Sequence, residues 1–192
     1  MGKEKGKMSI VFPDDAVIPP IFFTRIAEFF RTQFPLLKAD VGSEAEVFNE
    51  LKLSLDGYLR PVFGWPNGYI TGVMDLAIYN PKTQDLLILD YKSERNPHLD
   101  LAGEYREQLE LYSLLFHHGQ APVKRHRLVL FACYTGEILD LTGGWQEFDP
   151  TVGRGKMITL ITEAIEHLKV IKPTENHLCK YCFAQTQCPL FK

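Results

Sequence analysis

Leu86-Leu-Ile-Leu89 is an unbroken apolar run that stops abruptly at Asp90-Tyr91-Lys92. A run this short and this apolar suits a strand buried on both faces, at the centre of a sheet. Its ending sets a carboxylate and an ammonium group where the strand leaves the core. Because strand side chains alternate faces, Asp90 and Lys92 point one way and Tyr91 the other. Gly72-Val-Met-Asp75 carries a second acid within another apolar segment, and an adjacent antiparallel strand brings Asp75 beside Asp90 and Lys92. Two carboxylates at the edge of a core repel each other, and ionising both is costly unless a cation lies between them. Ligands that are all oxygen favour Mg²⁺ or Mn²⁺ over Zn²⁺.

The rest of the chain supplies a frame for such a pair. Pro19-Pro20 opens a segment over 19–34 in which Ile21, Phe22, Ile26, Phe29 and Phe30 recur at near-helical spacing, predicting an amphipathic helix laid over one sheet face. Strand-like segments follow at about 47–55, 58–63 and 69–79, broken by Asp56-Gly57 and Gly64-Trp-Pro-Asn-Gly68, which predicts an antiparallel meander. Asn80-Pro81 turns the chain into the run at Leu86. Leu101, Tyr105, Leu109, Tyr112, Leu115 and Phe116 then predict a helix over 101–117 that Gly119 stops. Arg127 to Tyr134 reads as a strand and Gly143-Gly144 as a turn. Ile158, Ile161, Ile165 and Leu168 repeat the helical period over 153–170, ahead of Pro173. The order predicts an α/β fold with a mixed central sheet flanked by helices, parsed as an extension (1–18), a core (19–172) and a Cys-rich tail (173–192).

A chain of 192 residues that is 45% hydrophobic buries a real core, which excludes the disordered and fibrous classes. No apolar run approaches the ~18 residues of a membrane span, and Met1–Lys7 is too polar for a secretory signal, so a soluble, intracellular (cytoplasmic) protein with no membrane partner is expected. A net charge of −3 gives no general attraction to nucleic acid, so any such contact is local. Lys124-Arg125-His126-Arg127, the densest basic run, reads as a solvated strand entrance before it reads as a phosphate contact.

Alone, Asp-x-Lys also describes a plain ion pair at a strand end, worth ~0–1 kcal/mol. The helix that follows argues for chemistry, since Gln108 and Tyr112 share a face at i and i+4, with Glu104 one turn earlier. Phosphodiester hydrolysis needs a cation to neutralise a non-bridging oxygen and acidify a water, and a positioned cationic group to stabilise the transition state. Taken together, Gly72-x-x-Asp75, Leu-Ile-Leu-Asp90-Tyr-Lys92 and Gln108-x-x-x-Tyr112 resemble the RecB-type branch of the PD-(D/E)XK nucleases over roughly residues 46–134.

That resemblance implies a restriction-endonuclease-like core. It implies that Asp75, Asp90 and the backbone carbonyl of Tyr91 hold Mg²⁺ or Mn²⁺, that Lys92 assists the attacking water, and that Gln108 and Tyr112 contact substrate or brace the site. Glu50 resembles a further acidic residue on the first strand of the meander. RecB-type enzymes often carry a metal-binding His before the meander, whereas the first His of this sequence is His98; Mg²⁺ rather than Mn²⁺ preference is one reading of that. Glu44 or Glu46 could replace it, or the enzyme could be weakened.

Cys179-x2-Cys182-x5-Cys188 has the spacing of a soft-metal grip. A similar triplet in RecB-type relatives, including AddB and the CRISPR-adaptation proteins, joins an upstream Cys to hold a four-iron cluster. Three readings stay open: an iron–sulfur cluster completed by Cys133, a Zn²⁺ site completed by His177, or a tail without metal. Cys133, inside Leu128-Val-Leu-Phe-Ala-Cys133, otherwise reads as a buried thiol.

The function expected from these features is a metal-dependent deoxyribonuclease, an exonuclease on single-stranded or end-exposed DNA in recombination, repair, phage or CRISPR-adaptation settings. With no P-loop motif in the sequence, unwinding would fall to a helicase or recombination partner. The alternative is a catalytically weak DNA-binding or assembly module of the same fold.

Overall fold

A computed structural model describes residues 20–63, 68, 70–93 and 102–170. They fall into two compact units that divide between Phe148 and Asp149.

The first unit opens with α1 (Pro20–Glu28), a π-helical turn (Phe29–Gln33) and α2 (Phe34–Val41). Pro35 accounts for the interruption: it has no N–H to give a helical carbonyl and its ring crowds the preceding turn. The helix accommodates it by widening, with the Phe34 N–H bonded to Phe29 O, five residues back. Gly42 ends α2 at φ 121°, and its N–H donates to Lys38 O at 3.2 Å. Asn80 Nδ2 donates to Val41 O at 2.9 Å, tying this end to the sheet.

The sheet contains β1 (Glu46–Leu55), β2 (Ile70–Asn80), β3 (Asp85–Lys92), β4 (Arg125–Ala132) and β5 (Glu137–Asp140) in that spatial order, and β6 (Gln146–Glu147) also pairs β4. Pairing is antiparallel throughout except between β3 and β4. Parallel neighbours need a crossover, and α3 (Ala102–Gly119) lies between them in sequence. The expected mixed sheet flanked by helices is therefore the fold.

Leu86, Leu87, Ile88 and Leu89 are fully buried, as the apolar run predicts, and each contributes about 1.5–3 kcal/mol of transfer free energy. Alternation sends Leu87 and Leu89 into one layer with Leu76, Ile78, Val129 and Phe131, covered by Phe29, Leu37 and Val41 of the first helical segment. On the opposite face, Phe116 of α3 meets Phe48 and Tyr79 edge-on or tilted, with centroids 5.7 and 5.1 Å away.

One expected strand is absent. Residues 58–63 form a turn with only an isolated bridge, Leu55 to Pro61. The Asp56 carboxylate accepts the Tyr58 and Arg60 N–H groups at 2.8 and 3.0 Å, and Leu59 adopts φ 63°. Those backbone donors are thereby withdrawn from any ladder.

The second unit contains α4 (Pro150–Val170). Asp149 accepts the Thr151 N–H at 2.8 Å and Pro150 takes the first helical position, so the helix begins three residues before the expected 153. Cys179, Cys182, Cys188 and His177 lie outside the described residues. Among the described residues, no helix is long and apolar enough to cross a membrane.

Candidate active site

The β2–β3 ladder stops at Leu76↔Leu89, while β3 stays paired to β4 through Lys92↔Ala132. One step beyond the last β2–β3 pair, the register sets Asp75 across from Asp90. Asp75 replaces the lost ladder bond with its side chain: Oδ2 accepts the Tyr91 N–H at 2.9 Å. The Lys92 carbonyl accepts the Cys133 N–H of the β4 side at 2.9 Å, so by strand alternation the Tyr91 N–H and C=O both turn away from β4, toward Asp75. On the far side of β2, the pairs Asn49↔Leu76 and Leu51↔Met74 flank Glu50 and Asp75, which face each other unpaired. Glu50 sits there at φ 48°, exposed to solvent. Backbone pairing thus lapses along one line across three strands, and an acidic residue stands at each crossing.

Asp90 is buried, and its Oδ2 lies 2.7 Å from Lys92 Nζ. That separation makes the contact a close ion pair. Burial pushes the Asp90 carboxyl up, Lys92 draws it down, Asp75 pushes it up again, and the balance lies above the usual carboxylate range. Burial draws Lys92 down, but the Asp90 carboxylate, with smaller help from Tyr105 and Asp75, holds its ammonium above the ordinary lysine value.

The helix side of the site is carried by α3. Gln108 Nε2 donates to the Tyr112 hydroxyl at 2.9 Å, and both side chains are partly buried. Tyr112 comes close to β2 because residue 72 is glycine: a Cβ there would stand 3.0 Å from Tyr112 Cε1 and 2.5 Å from Leu115 Cδ1. Gly72 is thus the place where strand and helix touch, three residues before Asp75. Tyr105, which its spacing marks only as a core position, lies with its ring centroid 4.5 Å from Lys92 Nζ. The signal that could have found it is its place three residues before Gln108, on the same helical face.

Asp75, Asp90 and Lys92 are accordingly brought together, Tyr91 offers its carbonyl edge to the same gap, and Glu50 stands in register but exposed. Cys133 is buried with Phe29 and Phe131 in the core, and burial pushes its thiol up to about 11.

A buried carboxylate beside a second one, whose charge pushes it up, fits a hard divalent cation. Among the described residues, no group of three or more His, Cys, Asp and Glu gathers as a metal centre. Two carboxylates, a carbonyl and waters suit Mg²⁺ or Mn²⁺, which accept few protein ligands and keep water or phosphate oxygens as the remainder.

The model of the PD-(D/E)XK nuclease superfamily matches residues 20–189. The chain belongs to the PD-(D/E)XK nuclease superfamily. Its members are metal-dependent nucleases that typically use Mg²⁺ or Mn²⁺, so nuclease activity and nucleic acid as substrate follow for this chain at that level. None of the curated proteins matches the chain. A solved structure described as "Crystal structure of SSO0001" is similar at 16% identity and a TM-score of 0.39, covering 90% of this chain and 76% of that one.

Proposed function

We propose that this PD-(D/E)XK protein is a Mg²⁺- or Mn²⁺-dependent deoxyribonuclease of the RecB type, acting on single-stranded DNA or on DNA ends. The observation that carries the reading is the lapse of the β2–β3 ladder at Asp75 and Asp90, with Lys92 ion-paired at its edge. Asp75, Asp90 and the Tyr91 carbonyl are the groups that would hold the cation. Once bound, the ion neutralises a non-bridging phosphate oxygen and lowers the pKa of a water.

The chain's own groups do the rest. Lys92 donates a charge-assisted hydrogen bond to the attacking water or to the phosphate oxygen that gains charge. Its enclosure, 17% exposed at the side chain, limits screening of that charge by solvent. Gln108 and Tyr112, already bonded to each other, offer an amide and a hydroxyl to the strand being cut, and Glu50 adds a carboxylate at the exposed rim. A helicase or recombination partner would supply unwinding. For the tail we propose a purely structural metal held by Cys179, Cys182 and Cys188. With Cys133 as the upstream partner the ion would be an iron–sulfur cluster, and with His177 as the fourth ligand Zn²⁺; a brown sample with broad visible absorption would signal the first, and a colourless one would leave zinc or no metal.

The test is cleavage of end-labelled single-stranded DNA, duplex DNA and circular single strands with Mn²⁺, Mg²⁺ or EDTA. We expect metal-dependent release of short products from linear strands, sparing of circles, and loss of at least ~10³-fold in both Asp90→Ala and Lys92→Ala. Equal cleavage by those variants would overturn the assignment. Binding of DNA without cleavage in the wild type would favour the assembly-module alternative, which the missing upstream His motivates.

A further inference from the structure

Among the described residues, the Lys92 ammonium lies against groups of two kinds: a carboxylate oxygen of Asp90 at 2.7 Å and the ring of Tyr105, centred 4.5 Å away. Only the first competes with a metal. An Asp90 oxygen committed to a divalent cation has much of its charge drawn to that ion, and its hold on Lys92 weakens. A lysine side chain freed at its tip has four rotatable bonds and compact, strongly hydrated charge, so it would swing toward water unless something else fixed it. The ring of Tyr105 meets that need. Its face attracts a cation through its quadrupole, takes no proton from it and offers a hard metal nothing. A third carboxylate in that place would do the opposite, either joining the metal or neutralising the lysine.

The scaffold supports such a role. Tyr105 projects from α3 on the face that also carries Gln108 and Tyr112, whose mutual hydrogen bond of 2.9 Å steadies that side of the site. Lys92 itself is only 17% exposed, a degree of enclosure in which cation–ring attraction exceeds its value at an open surface.

We infer that Tyr105 is a positioning residue that holds the Lys92 ammonium in place when Asp90 is occupied by a divalent cation. The inference rests on the reading of Lys92 as the catalytic ammonium group, and its test separates the two.

The test compares Tyr105→Leu, Tyr105→Phe and Tyr105→Trp in the full chain. The first readout needs no turnover: the Lys92 methylene resonances nearest the ammonium, followed by NMR while Mg²⁺ is added. In the wild type, Phe and Trp proteins they are shifted upfield by the ring and stay so at saturating Mg²⁺; in Tyr105→Leu the upfield shift is gone. The second readout is steady-state cleavage of labelled single-stranded DNA at saturating metal. Tyr105→Leu is expected to lose about 5–30-fold in kcat with KM unchanged within about 2-fold, and the Phe and Trp variants to recover kcat to within about 3-fold. Tyr105→Leu added to Lys92→Ala should cost nothing further.

Loss of the upfield shift in wild type as Mg²⁺ binds would overturn the inference whether or not the protein cuts DNA. So would a Phe variant as poor as Leu, which would assign the role to the hydroxyl, or a loss confined to KM, which would make Tyr105 a substrate contact. A wild type that keeps the upfield shift through the Mg²⁺ titration yet fails to cleave would leave the positioning intact and sink the nuclease reading.

Discussion

Gly72 lies so near the ring of Tyr112 that a Cβ at residue 72 would stand 3.0 Å from Tyr112 Cε1, and 2.5 Å from Leu115 Cδ1 as well. The glycine in Gly72-x-x-Asp75 is therefore a spacing device that lets α3 settle onto β2 beside the acids. Gly72→Ala is expected to destabilise the fold by about 1–3 kcal/mol, because the strand or the helix must shift to admit a methyl group. Urea denaturation measures this. Stability equal to wild type would mean that the two elements are not in contact at this point.

Asp85 and Arg125 begin the parallel pair β3 and β4, and the guanidinium reaches both carboxylate oxygens, at 2.8 and 2.6 Å. Burial pushes the Asp85 carboxyl up, but the Arg125 hydrogen bonds and charge, helped by a Thr83 hydrogen bond and the Lys124 charge, outweigh it and hold it below the usual range. A carboxyl lowered on folding stabilises fully above its unfolded pKa of ~3.9, and that stabilisation fades as pH falls through the lower folded value. Asp85→Asn should cost about 1–3 kcal/mol at pH 7, toward the low end because Arg125 is partly exposed, and progressively less as pH falls below the unfolded value of ~3.9. Chemical denaturation across that range tests it; a loss independent of pH would contradict the ion-pair account.

How much of this was legible in the residues depends on where each signal resides. Leu86–Leu89 and its polar ending announce β3 and the acid and lysine at its tip, because burial and alternation are properties of the local sequence. The helical period from Tyr105 to Phe116 likewise gives α3. The pair β5 and β6 was not legible, since Glu137-Ile-Leu-Asp140 and Gln146-Glu147 are short and mixed in polarity. They are held by β4 and by the turn in which the Asp140 carboxylate accepts the Thr142 and Gly143 N–H groups. Residues 58–63 look like a strand by composition, yet one carboxylate, Asp56, captures two of their donors. In the site, Tyr105 fits the apolar spacing so well that its second role, beside Lys92, depends on a fold that sequence spacing does not supply. The left-handed conformation of Glu50 falls where the β1–β2 pairing lapses opposite Asp75, a partner that sequence spacing does not name.

Cys133 offers a third prediction. Its thiol is enclosed by the core and pushed up by burial from the ordinary 9.0 to about 11, which leaves roughly 100-fold less thiolate at neutral pH. Site-resolved mass spectrometry after iodoacetamide treatment of native protein should show Cys133 essentially unmodified, and modified once urea unfolds the chain. Rapid native labelling would show that the core opens there.

The central claim is that Asp75 and Asp90 together hold one divalent cation, with Lys92 beside it but not bound to it. Mn²⁺ binding followed by electron paramagnetic resonance addresses this directly, because the tail's thiolates are poor ligands for so hard an ion. Lys92→Ala should bind one Mn²⁺ about as well as wild type while losing at least ~10³-fold in cleavage, and Asp75→Ala with Asp90→Ala should bind none. Undiminished Mn²⁺ binding in that double variant would contradict the account.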